Sequence, residues 1–245
     1  MMGTGKYRSA RYLSFGDSAL LVEFGDTIDL EVNRKVTALS EAILNAQIRG
    51  AEELVPTYRS LLIRYDLSKI GYEQLVMQVK DIEGKLKESK LEAAGKIVVP
   101  VVYGGQYGPD LAHVAQYHGL TEEQVIQIHS GGEYRVYMLG FVAGFPYLGE
   151  VADEIATARL ETPRLKVPKG SVGIAEKQTG IYPCEAPGGW QIIGRTPLRL
   201  FNPQTEPPAL LKPGDSVMFK QISEEEYRKI EEAVLKRTCG TFWKE

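Results

Sequence analysis

Apolar positions along the first third of the chain alternate between two periods. Arg11–Phe15 and Ala19–Phe24 read as strands around the turn Gly16-Asp17-Ser18. Val32, Val36, Leu39 and Ile43 then recur at helical spacing, which predicts an amphipathic helix with Asp29 as its N-cap and Gly50 as its stop. Glu53–Tyr58 and Ser60–Tyr65 read as two further strands, and Leu75, Val79, Ile82 and Leu86 mark a second helix. The order strand, strand, helix, strand, strand, helix predicts a compact α+β domain with its helices on one sheet face.

The pattern changes after the charged segment Lys85–Lys96, which reads as a domain boundary and divides the chain into residues 1–90 and 91–245. Ile97–Tyr103 reads as a buried strand. Asp110–His118 reads as a short helix between Pro109 and Gly119. Thr121 and Gln124 form a capping-box pattern for a helix running to about His129, and Ser223 and Glu226 repeat the pattern near the C-terminus. Between them lie short β-rich runs: Arg135–Leu139, Ser171–Ala175, Gln191–Gly194 and, after the turn at 211–215, Ser216–Phe219. Many short strands punctuated by Gly and Pro predict a mainly β second domain, a barrel or a sandwich.

Composition narrows the classes. Of the 245 residues 43% are hydrophobic, enough for a sizeable core, and the formal net charge of -3 argues against a nucleic-acid partner. The two cysteines, Cys184 and Cys239, lie far apart in sequence, which suits a reducing cytoplasm better than a disulfide scaffold. No apolar run approaches the ~20 residues of a membrane span. The first residues carry charge but no apolar core of a signal peptide. The expectation is a cytoplasmic protein with no membrane partner.

The chemistry-bearing residues gather in the Gly/Pro-rich stretch from Tyr134 to Pro197. Gly5-Lys6, Gly84-Lys85 and Gly95-Lys96 do not continue to Ser or Thr, so no Walker phosphate loop is present. Gly170-Ser171-Val172-Gly173 lacks the first glycine of a nucleophile elbow, so Ser171 reads as a turn serine and a ligand contact rather than a nucleophile. His113 and His118 are five apart and neither cysteine belongs to a CxxC, so no metal site is expected. His129 and Lys169 are the catalytic candidates. The bland alternative for His129 is a helix-end contact. Arg164, Lys169 and Arg195 flank the glycine-proline loops, where a cation can hold a carboxylate or phosphate; the alternative is a solvated surface or an ion pair. Gln178, Tyr182 and Trp190 complete the candidate binding set. Phe141, Phe145 and Tyr147 supply either a partner surface or core packing.

The same stretch carries a family likeness. Gly140-Phe141, Gly144-Phe145, Tyr147-Leu148-Gly149, Val167-Pro168, Gly170-Ser171-Val172, Ile181-Tyr182-Pro183, Pro187-Gly188-Gly189-Trp190 and Ile193-Gly194-Arg195-Thr196-Pro197 occur in that order. They resemble the family of the B-type 5-oxoprolinase subunit (PxpB) and the sporulation-kinase inhibitor KipI, also called allophanate-hydrolase-subunit-1-like. Two positions depart from the pattern: Ala143 stands at an expected proline and Ala186 at an expected serine. The resemblance implies a cyclophilin-like β-barrel for the second domain. It implies a subunit of an ATP-driven complex that hydrolyses 5-oxo-L-proline to L-glutamate, with the ATP site not located in this chain. The implied partners are a KipA-related, allophanate-hydrolase-subunit-2-like subunit and an amidohydrolase-like subunit, without which this chain would be inactive. The resemblance also allows a binding module that inhibits autophosphorylation of a sporulation histidine kinase. A third possibility is a component of a biotin-dependent, urea-type carboxyltransferase, although no Met-Lys-Met attachment pattern occurs.

Overall fold

A computed structural model describes residues 5–86 and 95–236. The chain separates into two compact units, Met1–Ala93 and Ala94–Glu245. Most of the charged segment read as a boundary, residues 87–94, lies outside the described residues, as does Cys239.

In the first unit, strands β1 (Lys6–Phe15), β2 (Ala19–Gly25), β3 (Ala51–Pro56) and β4 (Ser60–Tyr65) form an antiparallel sheet in the order β1-β2-β4-β3. Alternation sends Leu20, Val22 and Phe24 of β2 and Leu61 and Ile63 of β4 to one face. Helices α1 (Leu30–Ala46) and α2 (Tyr72–Lys85) share a core with that face. The α1 stripe Val32, Val36, Leu39, Ile43 is fully buried. Asp29 caps it, accepting from Glu31 N at 2.8 Å and Val32 N at 3.0 Å. The stop differs from the expectation. Gln47, at φ 48°, takes the left-handed conformation that ends the helix, and its N–H returns to Leu44 O. Gly50 instead forms the turn into β3, which begins two residues earlier than its apolar pattern indicates.

The second unit is a closed seven-stranded barrel with the order β10-β7-β6-β13-β5-β12-β9. Its strands are β5 (Lys96–Tyr103), β6 (Glu133–Leu139), β7 (Pro146–Gly149), β9 (Ser171–Ala175), β10 (Gln178–Ile181), β12 (Gln191–Arg195) and β13 (Ser216–Gln221). All barrel pairings are antiparallel except β5 with β13. Val99, Val136, Leu148, Val172, Ile174, Ile193 and Val217 fill the interior. Helices α3 (Leu111–His118), α4 (Glu122–Gly131) and α5 (Glu224–Leu235) surround it. Both capping boxes form, Thr121 with Gln124 and Ser223 with Glu226. Outside the barrel, β8 (Arg164–Val167) and β11 (Ala186–Gly188) make a two-stranded ribbon.

Candidate functional site

The ribbon does not lie free. Val167 and Ala186 on it share a small second core with Ala175 and Ile192 of the barrel wall and with Phe145, Tyr182 and Trp190. Phe145 stands at its centre. Its ring meets Tyr182 at 5.1 Å and Trp190 at 5.4 Å edge-on, and Tyr147 at 4.9 Å. Such edge-to-face pairs add to the burial of the rings themselves. Glycine makes the approach possible. A Cβ at Gly180 would sit 2.8 Å from the Trp190 ring and 3.0 Å from the Phe145 ring, and one at Gly188 would sit 2.1 Å from the Tyr182 hydroxyl. The Gly/Pro-rich sequence is therefore a packing requirement here as much as a turn signal. Burial pushes the Tyr182 phenol up to about 12, with the positive charge of Arg159 opposing the rise.

The three cations read as equivalent candidates prove unequal. Arg164 is committed to Asp110: its Nη2 donates to Oδ1 at 2.6 Å, while Asp110 Oδ2 accepts from Ile192 N, also at 2.6 Å. Lys169 is exposed in the turn before β9. Arg195 lies opposite Ser171 in the β9/β12 register, with its guanidinium 5.6 Å from the Tyr107 ring centre. Its Nε and the Ser171 Oγ are both buried and without hydrogen-bond partners. Arg195 and Ser171 thus form a second polar locus, joined to the aromatic cluster through the main chain, since Tyr182 N donates to Ser171 O at 2.9 Å. Gln178 opens β10, partly exposed, opposite Gly149 and Ala175.

His129 is elsewhere. It is fully buried against the barrel core, stacked on Phe219 at 4.5 Å. Tyr103 Oη lies 2.8 Å from its Nδ1, and Thr179 Oγ1 lies 3.0 Å from its Nε2. Thr179 gives its proton to Gly173 O, so the arrangement fits one tautomer: Nε2–H donates to Thr179, and Nδ1 accepts from Tyr103. Burial pushes the imidazole down to about 3, which keeps it neutral at physiological pH. Both nitrogens are engaged, so the group is held as a satisfied core histidine rather than as an open base.

Of the three aromatic residues read as a partner surface, Phe145 is buried and Tyr147 partly so, but Phe141 is 59% exposed. Phe141 sits at φ 61°, inside a tight turn in which Val142 N donates to Gly140 O at 2.7 Å. A bulky side chain in the left-handed region is uncommon and points to a functional constraint. Sequence reasoning misses two residues. Asp110 reads only as a helix start. Arg159, which lies 5.9 Å from the Trp190 ring centre, occupies a stretch with no motif around it. Among the described residues no group of three or more His, Cys, Asp or Glu side chains is placed to hold a metal ion.

The carboxyltransferase-domain family, subdomain C and D, matches residues 10–211. The B-type 5-oxoprolinase subunit of Bacillus subtilis is 45% identical over 228 residues, covering 89% of this chain and 95% of that protein. The protein of the same name from Escherichia coli O157:H7 is 40% identical over 214 residues, covering 86% and 95%. The crystal structure of TTHA0988 superposes with a TM-score of 0.76 at 37% identity over 84% of this chain; the chain spans 40% of that structure's length.

Proposed function

Because the chain belongs to the family of B-type 5-oxoprolinase subunits, we propose that it is one component of a complex that hydrolyses 5-oxo-L-proline to L-glutamate with ATP. The observation that carries this reading is the match at 40% and 45% identity across 95% of two proteins of that name, which is not confined to one motif. The lactam carbon is a poor electrophile. Transfer of the ATP γ-phosphoryl group to the amide oxygen activates it. Water then adds, the ring C–N bond breaks and phosphate leaves, giving glutamate, ADP and phosphate. Positive charge facing the developing oxyanion lowers that barrier.

In this reading the described residues bind and position rather than complete the chemistry. His129, the candidate base, is sealed in the core with both nitrogens bonded. The remaining groups come from the allophanate-hydrolase-subunit-2-like and amidohydrolase-like partners, and ATP is bound at the level of the complex. The Phe141 turn supports a partner contact, because an exposed ring held on a strained backbone is a pre-organised anchor. On the same reading the two compact units are separate domains, the second cyclophilin-like, and the ATP-consuming complex works in the cytoplasm. No described helix is long and apolar enough to cross a membrane.

Deleting the gene from its host is expected to raise intracellular 5-oxoproline several-fold, and re-expression of the chain to reverse it. An unchanged 5-oxoproline pool, measured by mass spectrometry, contradicts the proposal.

A further inference from the structure

We propose that Arg159 is the carboxylate-holding residue of a small-ligand site on the outer face of the barrel, walled by Tyr147 and Trp190. Only the identity of the ligand rests on the hydrolase reading; the site itself rests on geometry. The side chain is exposed, with its guanidinium carbon 5.9 Å from the Trp190 ring centre. Tyr147 stands edge-on to the same indole, with the two ring centres 6.0 Å apart. The positive charge of Arg159 opposes the burial-driven rise of the Tyr147 and Tyr182 phenols, in keeping with a cation on this side of the cluster.

Three arginines of the fold are held by carboxylates: Arg64 by Glu52 and Glu53, Arg164 by Asp110, and Arg228 by Glu224. Arg159 has no such acid within ion-pair distance among the described residues. Its main chain is fixed on both sides. Gln191 Nε2 donates to Ala158 O at 2.9 Å, and Leu160 N donates to Gly189 O at 2.7 Å. Gln191 is only 3% exposed, and its Oε1 has no partner. A guanidinium resting on an aromatic face keeps its N–H edge turned outward, where it can take a carboxylate bidentately. The neighbouring rings suit a flat polar body attached to that carboxylate. The ligand class is therefore a small monocarboxylate bearing a planar amide or ring, and under the hydrolase reading it is 5-oxoproline.

The test is an NMR titration that follows the Trp190 indole N–H in the isolated chain and in the reconstituted complex. 5-Oxoproline is expected to shift this signal saturably. 2-Pyrrolidinone, which keeps the lactam and lacks the carboxylate, is expected to bind at least tenfold more weakly. Arg159→Ala is expected to weaken 5-oxoproline binding at least tenfold, with Arg159→Lys intermediate, while an unchanged melting transition in the free variants shows that the wall is intact. No saturable shift in either chain or complex, or equal binding by Arg159→Ala, overturns the site. The two readings fail separately. Glutamate release with unchanged KM in Arg159→Ala removes this site and leaves the hydrolase. Arg159-dependent binding without glutamate release by the wild-type complex removes the hydrolase and leaves the site.

Discussion

Asp110→Ala is expected to lower the unfolding free energy by about 3–5 kcal/mol, the range for removing one partner of a buried ion pair. Asp110 is only 7% exposed, and both its oxygens are used. One holds Arg164 and the other accepts from Ile192 N. The substitution strands a guanidinium and a backbone N–H at the base of the aromatic cluster, next to Trp190, whose carbonyl faces Arg164 Nη1 at 3.5 Å. Arg164 is partly exposed and can turn to water, which favours the lower end of the range. The double variant Asp110→Ala with Arg164→Met is expected to recover part of the loss, because no unpaired charge remains. Urea unfolding with unchanged m-values measures both. A loss below about 1 kcal/mol for Asp110→Ala shows that the pair does not hold the ribbon and makes Arg164 available again as a ligand-binding candidate.

The second large effect is a pH dependence set by His129. Its folded value near 3 lies below the ordinary histidine value of about 6.5. Above pH 6.5 neither state is protonated at this group and stability is at its full value. As pH falls from about 6.5 toward 3 the unfolded chain takes a proton that the folded chain refuses, and stability drops by roughly 1.4 kcal/mol per pH unit from this group. Below about 3 the folded state is protonated too and the contribution levels off. Replacing the histidine by His129→Gln, which keeps hydrogen-bonding capacity without the titration, is expected to flatten the acid limb by that slope relative to the wild type. Parallel acid limbs in the two proteins contradict the buried neutral imidazole.

What is legible in the sequence is local. The α1 stripe, the Asp29 cap and the two capping boxes depend on residues three or four apart, and each forms as its pattern indicates. Gly50 misleads as a stop because a glycine reads as the default left-handed residue, whereas Gln47 takes that conformation first. Pro146–Gly149, Gln178–Ile181, Arg164–Val167 and Ala186–Gly188 carry no clear strand signal. Each has only three or four residues, and each is a strand only because a neighbour pairs with it.

The candidate site follows the same division. The recurrence of Phe145, Tyr147, Tyr182 and Trp190 in one stretch foreshadows a cluster, but which ring is buried depends on Gly180 and Gly188 lying beneath them. Arg164 looks like Arg195 in sequence, and what separates them is Asp110, distant along the chain and adjacent in space. Arg159 has no glycine, proline or motif beside it, and only the path of the chain past Trp190 gives it a place.

The proposed function makes this chain a required part of a lactam-opening complex. The decisive measurement is release of glutamate from 5-oxoproline in the presence of ATP by the purified subunits, assembled with and without this chain. Turnover is expected only in the complete mixture, with one ATP consumed per glutamate formed and none by this chain alone. Equal glutamate release when the chain is omitted contradicts that function, as does ring opening by the chain without its partners.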